Sequence, residues 1–214
     1  MKAKTKTTRI YRMLHVDNLP VVLKRGGMHA PNHVPDDGLT YHTIHSLEVQ
    51  AKRRVRLIPC GPGGTVHDYV PFYFGPLSPM LLQLKTDQVP GYDEGQEPLL
   101  YLVSAAELIA SSGAGFVFSD GHGIAAITSW FDSLDDLDKV DWNMVGEKYW
   151  ADKPSDNDRQ RRKQAEFLVH RFCGWNLIQV VAVLDAQMKK RVEKILSQFV
   201  GHQPRVEVRR ELYY

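Results

Sequence analysis

Arg161-Arg162-Lys163-Gln164-Ala165-Glu166-Phe167-Leu168-Val169 is the stretch on which the fold of this chain turns. Three cations are followed by a polar residue, a small one, a carboxylate and a solid apolar run. Phe167, Leu168 and Val169 read as the start of a buried strand. Glu166 then stands where the chain passes from solvent to core, at the edge of a sheet. Two readings follow. Glu166 is a surface carboxylate paired with the basic run before it, or it is a desolvated carboxylate on a rigid element, the arrangement that electrostatic catalysis requires.

The 214 residues suit a single domain, 1–214, with a substantial core. A net charge of +2 is too small to decide on a partner. The cations are uneven, however, with dense groups in residues 2–12, 52–56 and 159–163. Such groups either meet in space as a phosphate-binding face or remain solvated surface. Cys60 and Cys173 make no disulfide framework and lie in no zinc-ligand spacing. The opening Met-Lys-Ala-Lys-Thr-Lys lacks the apolar centre of a signal peptide, and no apolar run approaches the about 20 residues of a membrane span. A reduced, cytoplasmic protein without membrane contact is the expectation.

Along the chain, residues 7–16 read as a first strand. Asp17 or Asn18 caps a short helix that Gly26-Gly27 stops. His15 and Asn18 therefore sit at a strand-to-helix turn, a place suited to an anion or a nucleotide. Residues 28–45 are a long loop, and residues 46–54 a helix that delivers Arg53 and Arg54. Residues 69–74, Tyr-Val-Pro-Phe-Tyr-Phe, are an aromatic strand whose proline suggests an edge position. Strands follow at 99–103 and 116–118, the second running into the polar turn Ser119-Asp120-Gly121-His122-Gly123. Residues 124–137 read as a helix. Trp142, Tyr149 and Trp150 lie in a stretch of weak regularity, where they pack under a loop or stack on a base. A strand at 177–184, an Asp185-capped helix at 186–199 and a last strand at 205–214 complete the pattern. Strands and short helices alternate without βαβ regularity. The fold class is therefore α+β, mainly antiparallel, with peripheral helices.

Four features need one explanation: the His15/Asn18 turn, the Arg53-Arg54 pair, the aromatic strand, and the carboxylate entering a late strand. No Ser or Cys stands in a nucleophile elbow, and the scattered histidines make no metal motif. A fixed carboxylate suits cleavage of a glycosidic bond, which passes through an oxocarbenium-like cation.

The chain resembles the DarT-type DNA ADP-ribosyltransferases, toxins of bacterial toxin–antitoxin systems. The carrying residues are Ile10-Tyr11-Arg12-Met13-Leu14-His15-Val16-Asp17-Asn18-Leu19, Asp68-Tyr69-Val70-Pro71-Phe72-Tyr73-Phe74, Ser78-Pro79-Met80-Leu81, Gly95-Gln96-Glu97-Pro98 and Lys163-Gln164-Ala165-Glu166-Phe167-Leu168-Val169. They run in family order across nearly the whole chain. The resemblance implies an ADP-ribosyltransferase fold, two facing sheets around a cleft for NAD+, and no metal. It implies transfer of ADP-ribose to a base of single-stranded DNA, thymine in the branch this chain is similar to, reversed by a macrodomain antitoxin, DarG.

Residue by residue, it makes Glu166 and Arg53 catalytic, with Arg54 adjoining. It places His15 and Asn18 at the nicotinamide end, Tyr69 and Tyr73 along the NAD+ pocket, and Met80 and His122 against the acceptor base. Arg54, Tyr149 and Trp150 are further candidates for contact with DNA. Leu14, Leu77 and Leu82 depart from the family pattern, Leu77 standing where an arginine commonly precedes Ser-Pro-Met. Two other classes stay open: an enzyme of the same fold acting on guanine, RNA or protein, and a non-catalytic nucleic-acid-binding module.

Overall fold

The computed structural model describes residues 7–214; Lys2, Lys4 and Lys6 of the first basic group lie outside the described residues. In chain order come β1 (Arg9–His15), α1 (Leu19–Lys24), β2 (Gly27–His29), α2 (Leu47–Val55), β3 (Tyr69–Tyr73), α3 (Pro79–Lys85), β4 (Leu99–Ala105), α4 (Ala106–Ser111), β5 (Phe116–Ser119) and β6 (Trp130–Phe131). They continue with α5 (Trp142–Gly146), α6 (Arg159–Lys163), β7 (Glu166–His170), β8 (Phe172–Gly174), β9 (Val180–Val183), α7 (Ala186–Leu196) and β10 (Arg205–Val208). The α+β class holds. Eight strands form one sheet in the order β10-β9-β4-β1-β3-β7-β5-β6, and β2-β8 form a small second sheet. All pairs are antiparallel except β9 with β10.

The large sheet divides at its middle. β1 pairs with β4 along its whole length, from Arg9 opposite Ala105 to His15 opposite Leu99. β3 pairs with β7 from Tyr69 opposite His170 to Tyr73 opposite Glu166. Between β1 and β3 the register is a single pair, Tyr11 opposite Tyr73. Two four-stranded halves thus join at one point and part along the rest of β3.

That parting explains Pro71. The expectation of an edge strand is wrong, because β3 lies between β1 and β7. A residue's N–H and C=O leave an antiparallel strand on the same side. The Pro71 carbonyl accepts from Arg12 Nη1 at 2.9 Å, so the donor that proline lacks faces the parting, where no ladder bond is required.

Period-two alternation places apolar residues on both faces of the sheet. On one face Ile10, Leu14, Leu100, Leu102, Val181 and Val183 meet Leu19 and Val22 of α1, Ala106 and Ile109 of α4, and Val192 and Leu196 of α7. On the other, Met13, Leu99, Tyr101, Val103 and Ala182 meet Leu81 and Leu84 of α3. The stretch 166–170 joins the core as expected, with Phe167 fully buried, stacked on Phe116 at 5.1 Å.

The helix expected at 124–137 does not form. Trp130 and Phe131 pair with Ser119 and Phe118 as β6, Phe131 stacks on Phe118 at 5.2 Å, and 3-10 turns follow from Leu134 to Lys139. Aromatic pairing across strands outweighs the helical pattern of these residues. The last strand is also shorter than expected. β10 ends at Val208, and a 3-10 turn, Arg210–Leu212, sends Tyr213 inward.

Replacing Phe167 by Ala should cost about 3–5 kcal/mol in urea denaturation. A loss below about 1 kcal/mol would contradict the packing of β7 against β3 and β5 described above.

Candidate active site

The parting of β1 from β3 opens into a cleft of about 760 Å3. Its walls come from β1, β3, the residues 41–46 before α2, α2 itself, the start of α3, the turn at 122–125 and α6. Glu166, first residue of β7, lies at its floor and is 1 % exposed. Its partner across the sheet is Tyr73.

Arg53 reaches Glu166 from α2. The helix starts at Ser46, whose Oγ accepts from Val49 N. Successive residues point about 100° apart around a helix. Arg53 therefore points inward and is buried, whereas Arg54 is exposed and lines a separate groove on the outer side of α2. Arg53 Nη1 donates to Glu166 Oε1 at 2.9 Å and Nη2 to Oε2 at 2.7 Å, a bidentate pair. The reading of Glu166 as paired with the basic run before it is thereby overturned. Gly123 N donates to Oε1 at 3.1 Å, and a Cβ at Gly123 would stand 3.2 Å from the same oxygen. A side chain there would crowd the carboxylate and the Trp130 ring. Each carboxylate oxygen accepts about two hydrogen bonds. Oε1 is filled by Arg53 and Gly123, and Oε2, with Arg53 alone, keeps capacity for one more donor.

Burial would raise the Glu166 pKa. The Arg53 guanidinium outweighs it, helped by His122 and the Gly123 N–H, and the net direction is down. His122 lines the cleft from its glycine turn. Burial lowers its pKa and Arg53 acts in the same sense, while Glu166 opposes them. The ring is therefore held toward its neutral form.

Asn18 lines the cleft, but its amide is engaged. Nδ2 donates to His42 O at 2.8 Å and Oδ1 accepts from His42 N at 2.6 Å, which pins the loop before α2. His15 lies behind that loop. Its ring stacks on His42 with centroids 4.0 Å apart, and Nδ1 accepts from Asp17 N at 3.2 Å. His42 Nε2 meets Glu94 Oε1 at 2.8 Å. His15, Asp17 and His42 bring ligand-type atoms within 4.8 Å of one another; His15 Nδ1 is taken by Asp17 N, while its buried Nε2 has no hydrogen-bond partner.

Tyr73 lines the cleft with its hydroxyl 3.9 Å from Met80 Sδ, and Met80 lines it from α3. Tyr69 contributes to the wall, while its hydroxyl donates to Gly63 O at 2.7 Å and its ring packs with Ile58, Val66, Val117 and Leu168. Tyr149, 78 % exposed, and Trp150 do not line the cleft. Trp150 instead donates from Nε1 to Tyr214 Oη at 2.6 Å.

The basic group before Glu166 is consumed locally. Arg161 binds Asp158 and Asp120, Arg162 binds Asp141 and Asp156, and Arg159 donates to the carbonyls of Ala151 and Tyr149. Lys163 Nζ is buried against the carbonyls of Val145 and Glu147 at 2.7 Å each, and burial takes its pKa down to about 8. These cations hold α6 and the 141–158 segment rather than forming a phosphate-binding face.

Arg12 is the functional candidate that the sequence reading passed over. Its guanidinium lines the cleft with one hydrogen bond, to Pro71 O. Its Nε has no partner, and no carboxylate pairs with it among the described residues. The signal was present, since Arg12 falls on the same face of β1 as the buried Ile10 and Leu14, but it was submerged in a basic N-terminal group.

A split antiparallel sheet with a buried, arginine-paired carboxylate at its cleft is an ADP-ribosyltransferase architecture. The model of the family described as "ssDNA thymidine ADP-ribosyltransferase, DarT" matches residues 11–214, and this chain belongs to that family. A DNA ADP-ribosyl transferase of Thermus sp. (strain 2.9) is 40 % identical over 208 residues, covering 97 % of this chain and 96 % of that protein. One from Escherichia coli O127:H6 is 32 % identical over 189 residues, covering 88 % and 86 %. The Thermus sp. 2.9 DarT structure in complex with ADP-ribosylated ssDNA superposes with a TM-score of 0.90 at 39 % identity, over 97 % of this chain and 96 % of that one. The structure of the same protein with NAD+ gives 0.87 at 38 %, over 99 % and 100 %.

Arg53→Ala should lower stability near pH 7 by about 3–5 kcal/mol, because it strands a buried carboxylate. The paired carboxylate's contribution is present above its unfolded pKa and fades as pH falls through the depressed folded value. In the variant, acid instead relieves Glu166 by protonating it. The deficit against wild type must therefore shrink on acidification. Arg54→Ala should stay within about 0.5 kcal/mol, and equal losses for the two would contradict the inward placement of Arg53.

Proposed function

We propose that this NAD+-dependent DNA ADP-ribosyltransferase modifies a thymine ring nitrogen in single-stranded DNA, and that Glu166 and Arg53 carry the chemistry. The observation that carries the reading is the buried bidentate pair at the cleft floor, with Oε2 open to one further donor. A ribose hydroxyl of NAD+ is a donor of the right kind. Binding it would hold a negative carboxylate beside the sugar carbon that becomes cationic, and fixed charge in a dry site is the largest usual source of acceleration.

The step balances as follows. The bond from ribose C1′ to the nicotinamide nitrogen breaks, and its electron pair leaves with neutral nicotinamide. The base nitrogen forms the new bond to C1′, and its proton passes to Glu166 or to a neighbouring base. Arg53, always cationic, keeps Glu166 ionised until then and stabilises negative charge on the deprotonated base. His122, held toward neutrality, suits contact with an uncharged base edge.

Arg12 and Arg53 supply cations for the pyrophosphate of NAD+, and Arg12 has donors to spare. Asn18, through His42, shapes the end of the cleft assigned to nicotinamide, with His15 supporting it from behind. Tyr69 and Tyr73 form wall beside the dinucleotide. Met80 packs against the acceptor base. A base must leave its stack to reach Glu166, so single strands are the cheaper substrate. The Thermus sp. 2.9 DarT complexes with NAD+ and with ADP-ribosylated ssDNA support this reading, as does the family's description as a thymidine ADP-ribosyltransferase.

A macrodomain antitoxin of the DarG type is the expected partner. A DarTG from Thermosipho africanus, solved with ADP-ribose, shares the fold at a TM-score of 0.77 and 15 % identity. No helix among the described residues is long and apolar enough to cross a membrane. A toxin acting on cytoplasmic DNA is the corresponding role.

Glu166→Gln should lower the transfer rate by about 10²–10³-fold while leaving NAD+ affinity in place. A variant within threefold of wild type would remove Glu166 from the chemistry. Duplex DNA of the same sequence should react about 10²-fold more slowly than the single strand, and equal rates would exclude an unstacked acceptor.

A further inference from the structure

Tyr214 holds two walls of the cleft together. Its hydroxyl donates to Leu77 O at 2.6 Å and accepts from Trp150 Nε1 at 2.6 Å. The result is a directed chain, indole N–H to phenol to carbonyl, in which each bond strengthens the next. Tyr214 is itself clamped by Gln96. The Gln96 Nε2 donates to Tyr214 O at 2.6 Å, and Oε1 accepts from Tyr214 N at 3.1 Å. Tyr213 alongside donates to the carbonyls of Leu99 and Ala182 at 3.0 and 3.1 Å, which fixes the pair in the core of the sheet.

The two ends of the chain matter for the site. Leu77 has φ 56°, a left-handed conformation that costs a non-glycine residue free energy and persists only when its surroundings impose it. This corner immediately precedes Ser78, which caps α3, and α3 opens with Pro79 and Met80 in the cleft wall. Met80 touches the Tyr73 hydroxyl, and Tyr73 is opposite Glu166 in the sheet. At the other end, Trp150 leads within two residues to Asp152, which lines the cleft with Gln160. Asp152 Oδ1 accepts from Gln160 N at 2.9 Å, so this wall is anchored to α6.

We infer that Tyr214 is a positioning residue for the acceptor side of the cleft: its hydroxyl fixes the Leu77 corner against the Trp150 segment and so sets the width of the slot between Met80 and Asp152 that admits the nucleobase. The Arg12–Arg53 side of the cleft, assigned to the dinucleotide, is built on β1 and α2 and shares none of these bonds. The inference rests on the assignment of a DNA base to the cleft. It also gives Trp150 a function without contact with DNA, and it explains how a leucine is tolerated at position 77: the corner is held through its carbonyl, which any side chain leaves in place.

The test is steady-state kinetics of Tyr214→Phe, which keeps the ring in its pocket and removes only the hydroxyl, with Trp150→Phe as a second variant that removes the indole donor together with part of the ring. For Tyr214→Phe the KM for a single-stranded oligonucleotide should rise about five- to tenfold, the scale of one lost hydrogen bond. The KM for NAD+ and the slow release of nicotinamide without DNA should stay within about twofold, with Trp150→Phe moving the same constant by less. A general loss of structure would raise both KM values together, and that outcome overturns the inference. So does an unchanged KM for the oligonucleotide. Absence of DNA modification by the wild-type protein would instead overturn the functional reading itself, which separates the two failures.

Discussion

The Arg53–Glu166 pair is the interaction on which the rest of the molecule depends. A carboxylate at 1 % exposure is tolerable only with a partner of opposite charge and hydrogen bonds to both oxygens. Here α2 supplies the charge and the Gly123 turn supplies the remaining donor. Three segments far apart in the chain therefore converge on two oxygen atoms. The same contacts that make burial possible leave one acceptor position of Oε2 unfilled in a residue that lines the cleft.

The cleft exists because the sheet is not continuous. A fully laddered β1–β3 pair would bring main chain to the place where a dinucleotide must lie. Pro71 withholds a ladder donor on that side, and Arg12 takes the carbonyl that would otherwise be left bare. What remains is a single joint at Tyr11 and Tyr73. It keeps the two halves in register and places Tyr73 beside Glu166. The cations near the site then divide by role. Arg53 and Arg12 face the cavity, and Arg161 reaches its wall while neutralised by Asp158 and Asp120, whereas Arg159, Arg162 and Lys163 are spent on tying α6 to the segments around it.

Much of this was legible in the sequence because it rests on local pattern. The run 167–169 is wholly apolar, so it reads correctly as buried strand, and Ser46 and Asp185 mark their helix starts. The family motifs brought Glu166, Arg53, Asn18, Tyr73, Met80 and His122 to one cavity. What stayed hidden depends on partners distant in the chain. Pro71 looked like an edge residue because nothing local says that the neighbouring strand has turned away. Residues 124–137 carry helical spacing, and only β5 supplies the aromatic partner that makes Trp130 and Phe131 a strand. The basic run looked available until its aspartates, at 120, 141, 156 and 158, closed on it in space. Trp150 offered an aromatic face to solvent on paper, and Tyr214 claims its polar end in the fold.

The central claim is that the carboxylate at the cleft floor directs ADP-ribose onto thymine in DNA. The measurement that meets it most directly is intact mass spectrometry of a mixed-sequence single-stranded oligonucleotide after incubation with the protein and NAD+, followed by fragmentation. The account predicts a gain of one ADP-ribose unit located on thymine, and no gain with Glu166→Gln. Release of nicotinamide with an unmodified oligonucleotide, or a label on guanine or on protein, would contradict it.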